Sequence, residues 1–202
     1  MHQENVARMM PEEYQSNQTI FRKHTDPDMF FLTAAQLLYE KPDYYQIINR
    51  GIGGDRLPQL YARIQLDVWN EQSDVLSILI GTNDVNVCAN PNYTDLERWG
   101  RIYRMLISDT IERCPDTKII ICEPFSLKAE RRSRILEYAA EAKKIADEFN
   151  LPFVSLQDKL EKSVENYGIQ ACFYDATHLN LVGSKVISDA WIEVFKHKVD
   201  NA

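Results

Sequence analysis

Short β-branched runs alternate along this chain with longer stretches of helical apolar spacing. That alternation constrains the fold most, because it is the pattern of βαβ units around a parallel sheet. Four runs have strand length: Tyr44 to Asn49, Asp74 to Ile80, Thr117 to Glu123 and Pro152 to Leu156. The middle two are continuous apolar runs, as strands buried on both faces are, and are expected at the centre of the sheet. Between the runs the spacing turns helical, through Leu57, Leu60, Ile64 and Val68, then Leu96, Trp99, Tyr103, Leu106 and Thr110, then Ile135, Ala139, Ala142, Ala146 and Phe149. An earlier helix is expected around Phe30 to Tyr39 and a last one from about Leu181 to Lys198. Trp69, Trp99 and Trp191 fall on these stripes and are read as core residues.

No repeat, low-complexity tract or linker interrupts the 202 residues, so a single domain, 1–202, is expected. Residues 1–28 are atypical: polar, Met-rich, with Pro11 and Pro27 and no strand pattern. Lys and Arg number 23 against 30 Asp and Glu, a formal charge of −7 that repels a phosphate backbone and argues against a nucleic-acid partner. The most apolar stretches are strand-sized and the N-terminus has no apolar leader, so no membrane partner is expected, and the chain reads as soluble and cytoplasmic. Cys88, Cys114, Cys122 and Cys172 never approach a C-x-x-C spacing, which leaves free thiols rather than a metal or redox site.

Three motifs can carry chemistry. The first visible strand is followed by Asn49-Arg50-Gly51-Ile52-Gly53-Gly54-Asp55, a glycine cluster at the edge where open α/β sheets bind ligands. It is neither a dinucleotide fingerprint nor a P-loop, and taken alone it also fits a tight turn, so no cofactor is implied. The second strand runs into Gly81-Thr82-Asn83-Asp84. The Asn83 amide is a neutral donor of the kind that holds a developing oxyanion, although Asn83 or Asp84 could equally close an Asx turn or cap a helix. Near the C-terminus, Asp175-Ala176-Thr177-His178 places a carboxylate three residues before an imidazole, close enough to accept its Nδ1–H and leave Nε2 as a general base.

Taken in order, N-x-G-x-x-G, then G-x-N-D after the next strand, then D-x-x-H before a C-terminal helix, the set resembles the SGNH hydrolase superfamily, the GDSL-type esterases and lipases. The similarity runs from about Phe30 to the end and includes the strand endings SILIGTNDV and IIICEPF. It implies a three-layer α/β/α sandwich with a parallel flavodoxin-like sheet. It also implies an oxyanion site formed by the Gly54 amide and the Asn83 side chain, with His178 as base and Asp175 orienting it. One departure is mild: Gly51-Ile52-Gly53-Gly54 stands where relatives commonly read G-I-S-G. The other is severe. The family's first strand ends in Gly-Asp-Ser, whose serine is the nucleophile, and the chain contains no such motif; the resemblance places that serine near Met1 or His2. Ser16 is the sole serine before Ser73, with no strand before it to hold it on a sharp turn.

The resemblance therefore implies an esterase acting on a small acyl ester, such as an acetylated sugar, with the sequence beginning after its nucleophile. The alternatives are a non-catalytic relative that binds an acyl or carbohydrate ligand, and a plain α/β interaction protein. In the flavodoxin-like order the first strand is central, so its absence should leave two unpaired neighbours, to be filled by residues 1–28 or by a partner chain; a homo-oligomer is the corresponding expectation.

Overall fold

The structure, a computed structural model, describes residues 29–85 and 93–200. Ser16, the segment 1–28 and Cys88 lie outside the described residues. The chain enters through α1 (Met29–Glu40), and an extended segment then leads to α2 (Leu57–Ile64), which continues as a π turn, Gln65–Trp69. There follow β1 (Val75–Leu79), α3 (Leu96–Arg113), β2 (Lys118–Cys122) and a short 3-10 turn, Ala129–Arg131. That turn opens α4 (Arg132–Glu148), which precedes β3 (Phe153–Val154), α5 (Gln157–Tyr167), α6 (Ile169–Cys172) and α7 (Leu181–Phe195), closed by a π turn, Lys196–Asp200.

The three strands are parallel, in the order β1-β2-β3. Val75 stands opposite Lys118 and Leu79 opposite Cys122, while Ile121 and Cys122 stand opposite Phe153 and Val154. Successive side chains of β2 point to opposite faces, and both faces are covered. Ile119 and Ile121 join Trp99, Tyr103, Ile135 and Ala142 in one core, formed with α2, α3 and α4. Ile120 and Cys122 join Leu160, Phe173, Ile187 and Trp191 in the other, formed with α1, α5, α6 and α7. The result is the three-layer α/β/α sandwich, with β2 as its most buried strand. Each fully buried isoleucine here contributes about 1.5–3 kcal/mol of transfer free energy. Trp99 packs edge-on against Tyr103 and Tyr138 at centroid distances of 5.0 and 5.2 Å, and all three expected tryptophans are buried.

One expectation needs correction. Tyr44 ends a turn, and the side chains from Tyr44 to Asn49 alternate between exposed and half-buried, but the segment forms no ladder among the described residues. A strand needs a neighbour for its N–H and C=O groups. Here β1 is hydrogen-bonded to β2 alone within the described sheet, and Leu79 on β1 and Ile48 on the extended segment remain 39% and 38% exposed. The sequence pattern names no helix over α5, whose sequence, QDKLEKSVENY, has Leu160 and Val164 as its sole aliphatic residues. Cys114, Cys122 and Cys172 are free and buried. Among the described residues no helix is long and apolar enough to cross a membrane.

Candidate active site

Four connections meet beyond the carboxyl ends of the parallel strands: residues 50–56 before α2, 81–84 after β1, 123–131 after β2, and 173–180 between α6 and α7. Contacts stitch them together. Asn83 Nδ2 donates to the Asp55 carbonyl at 3.1 Å, joining the first to the second. Thr82 Oγ1 donates to the Phe125 carbonyl at 3.0 Å, joining the second to the third. Leu127 N–H donates to the Ala176 carbonyl at 2.9 Å, joining the third to the fourth. Gly54, Asn83, Asp175 and His178 therefore share the carboxyl edge of the sheet, where open α/β folds place ligands.

Gly54 has φ 88, a left-handed conformation that glycine takes without a Cβ penalty. The turn closes through Asp55 N–H to the Ile52 carbonyl, 3.2 Å. It is fastened from α2 by Arg63, whose Nε donates to Asp55 Oδ2 at 2.9 Å and whose Nη1 donates to the Arg50 carbonyl at 2.8 Å. The same guanidinium pairs with the buried Asp67.

His178 Nδ1 lies 3.0 Å from each Asp175 carboxylate oxygen. Asp175 Oδ1 also accepts the backbone N–H groups of His178, at 2.9 Å, and Thr177, at 3.1 Å. The His178 N–H, then the ring, then the Thr177 N–H hold this carboxyl well below the usual carboxylate range. Tyr174 N–H to the His178 carbonyl, 2.8 Å, and a bridge between Phe173 and Leu179 pinch the loop at its base. A carboxylate facing Nδ1 fixes the proton there and leaves the Nε2 lone pair free. The His178 side chain is 76% exposed, and no described residue hydrogen-bonds Nε2. Lys128 Nζ, 3.7 Å from Asp175 Oδ2, adds a cation the motif gave no sign of.

Asp84 takes the capping role that the sequence left open. It caps a helix, but the helix is α2, 27 residues earlier: both carboxylate oxygens lie 3.1 Å from the Leu57 N–H. Phe125 is buried against Phe173 at a centroid distance of 6.3 Å and belongs to the core. A groove of about 520 Å³ lined by Leu96, Arg101, Arg104, Glu141 and Glu148 shares no residue with this site. Its charges satisfy one another, Arg104 pairing with Glu141 at 2.7 Å and Glu148 at 2.6 Å. Among the described residues no group of His, Cys, Asp and Glu could hold a metal ion.

Asn83 and the Asp175–His178 pair thus stand at the carboxyl edge of the parallel sheet in a three-layer α/β/α sandwich. The GDSL-like Lipase/Acylhydrolase family matches residues 23–186, and the chain belongs to that family. It is similar to an acetylxylan esterase of Geobacillus stearothermophilus, 27% identical over 157 residues that cover 73% of this chain and 70% of that protein. Among solved structures, a Parabacteroides merdae protein of the GDSL-like lipase kind superposes with a TM-score of 0.77 at 31% identity, covering 86% of this chain and 87% of its own. An acetylxylan esterase structure from Geobacillus stearothermophilus gives 0.76 at 24% identity, covering 85% and 82%. Two catalytic mutants of that esterase have been solved, one at an aspartate and one at a serine.

Proposed function

We propose that the chain carries the acyl-transfer site of a serine esterase that removes a short acyl group from a small-molecule ester, with acetyl on a sugar as the leading substrate. The observation that carries this reading is the Asp175–His178 pair, with Nδ1 held by both carboxylate oxygens and Nε2 open, on the same edge as Asn83 and Gly54. Family membership and the acetylxylan esterase relative support it.

In this reading a serine hydroxyl attacks the ester carbonyl and passes its proton to His178 Nε2. The Gly54 N–H and Asn83 Nδ2 hold the oxyanion of the tetrahedral intermediate. Collapse breaks the acyl–oxygen bond, the alcohol leaves with the proton from His178, and water repeats the sequence to free the acid and the serine. The serine comes from outside the described residues: Ser16, or a hydroxyl on a strand ahead of Met1.

The test compares the 202-residue chain with the same chain preceded by a strand ending in Gly-Asp-Ser, on 4-nitrophenyl acetate and on acetylated xylo-oligosaccharide. The extended chain should exceed the other by on the order of a million-fold in turnover, and His178→Ala should erase the gain. In the active form Asn83→Ala should lower turnover about 10²- to 10³-fold, and being exposed should change stability by less than about 0.5 kcal/mol. Activity of the unextended chain that Ser16→Ala abolishes would assign the nucleophile to Ser16. Robust activity that survives both Ser16→Ala and His178→Ala would overturn the esterase reading of this site. Inertness of both forms, with an acetylated sugar raising Tm, would mean binding without turnover.

A further inference from the structure

Asp84 ends the G-x-N-D motif, beside the exposed Asn83, yet it has no accessible surface. A carboxylate taken wholly out of water must find donors or lose its charge. Its donor is the Leu57 N–H, the first of α2, reached by both oxygens at 3.1 Å, where the helix macrodipole also favours an anion. The backbone of Asp84 is engaged as well: its N–H donates to the Gly81 carbonyl at 3.0 Å, and its carbonyl accepts the Thr94 N–H at 3.3 Å. The Tyr138 hydroxyl in turn donates to the Thr94 carbonyl.

What this anchor holds is the relation between the two proposed oxyanion donors. The Gly53-Gly54 turn has no packing of its own, since a Cβ at either position would meet nothing within 4 Å. Two bonds of opposite direction tie the turn to the loop after β1: Asn83 Nδ2 to the Asp55 carbonyl at 3.1 Å, and the Leu57 N–H to Asp84. The first is exposed and uses the very amide that an oxyanion would claim. The second is buried, and persists when that amide turns to a substrate.

We infer that Asp84 is a positioning residue which, by gripping the N-terminus of α2 from the Asn83 loop, holds the Gly54 amide and the Asn83 amide at a fixed separation. It touches no substrate. That the two amides serve an oxyanion rests on the esterase reading; that Asp84 couples them does not.

Burial pushes the Asp84 carboxyl up to about 6, against the Leu57 N–H, the Thr94 side chain, the Trp99 indole and the Arg56 charge, which pull it down. The indole N–H falls short of full hydrogen-bond geometry in the structure. The other titratable groups around it are Tyr138, whose phenol is pushed up to about 12 by burial first and then by Asp84 and Asp95, and Asp95 itself at the start of α3. The coupling should therefore respond to protonation of Asp84.

The test is a pH titration by ¹⁵N NMR of the chain carrying His178→Ala, which removes the imidazole as a competing source of shifts. The Leu57, Gly54 and Asn83 side-chain amide resonances should move together with one midpoint near 6. Asp84→Asn, which keeps an acceptor oxygen, should abolish that midpoint and preserve the three resonances. Asp84→Ala should speed exchange of the Leu57 amide about tenfold or more and displace both Gly54 and Asn83. If Asp84→Ala does not fold, the loss of the midpoint in Asp84→Asn decides. A midpoint that survives Asp84→Asn, or Gly54 and Asn83 signals indifferent to Asp84→Ala, would overturn the inference. Inertness of the Gly-Asp-Ser-extended chain with His178 in place, this coupling being intact, would overturn the esterase reading alone.

Discussion

Gly183, on the first turn of α7, lies where that helix meets the end of α6. A Cβ built there would sit 2.3 Å from the Cys172 carbonyl oxygen and 2.7 Å from Leu179 Cδ2. A carbon and a carbonyl oxygen approach comfortably to about 3.3 Å, so Gly183→Ala must separate α6 from α7 by roughly 1 Å. The obstacle is backbone, which cannot swing aside as a side chain would. Forced overpacking costs about 1–3 kcal/mol. The displacement also strains the Asn180 N–H bond to that same Cys172 carbonyl, 2.9 Å long and worth about 1 kcal/mol. A total near 3 kcal/mol with a urea m-value of about 3 kcal/mol/M lowers the midpoint by about 1 M. Because residues 173–180 leave from this junction, the His178 ring resonances should shift as well. Gly53→Ala is the control: it meets open space at ordinary φ and should move the midpoint by less than about 0.3 M. The assay is urea unfolding followed by tryptophan fluorescence and circular dichroism. Coincident midpoints for Gly183→Ala and Gly53→Ala would refute the steric reasoning.

Glu123 Oε2 accepts the N–H groups of Leu156 and Gln157, capping α5 from the end of β2; Glu123→Ala should cost about 1–2 kcal/mol in urea unfolding, and Glu123→Gln distinctly less. The depressed Asp175 carboxyl contributes stability that is present above its unfolded value of about 3.9 and is lost as pH falls through the folded one. Its largest cause is the His178 backbone N–H, so in His178→Ala the Asp175 carboxyl carbon should still titrate below the ordinary range by ¹³C NMR; a return to about 3.9 would assign the effect to the ring.

Much of the architecture is legible because it is periodic. The apolar run in β2 announces a strand buried on both faces, and the stripes through Trp99, Tyr103 and Leu106 and through Ile135, Ala139 and Ala142 announce helices of three turns or more. The Asp175–His178 pair is legible because its partners are three residues apart and a tight loop suffices to join them. What local pattern cannot reveal is where a long-range bond goes. Asp84 reads as a turn or helix cap, but nothing local says that the helix is α2, 27 residues earlier. Tyr44 to Asn49 has the composition of a strand, but pairing is a property of two segments, and no neighbour pairs with it among the described residues.

The helix that sequence pattern misses is also the one on which the joining of the site depends. Residues 123–131 link the donor side to the base side: Thr82 bonds the Phe125 carbonyl, and Leu127 bonds Ala176. This loop has no ladder of its own, so it needs a fixed support, and α5 supplies one. The Gln157 side chain, buried, accepts the Ser126 N–H at 3.1 Å through Oε1 and donates to the Ser126 carbonyl at 3.3 Å through Nε2. One amide thereby satisfies both backbone groups of a buried loop residue, as a neighbouring strand would. Because the links from this loop to Ala176 and Thr82 use its backbone, substitution of its exposed side chains leaves them in place, whereas movement of α5 carries Phe125 and Leu127 with it. The link from Asn83 to His178 thus leans on a buried side chain outside the motifs, Gln157 at α5, while Asp84, the buried last residue of G-x-N-D, ties the Asn83 loop to α2; Asn83, Asp175 and His178 themselves stay exposed and free to meet a ligand.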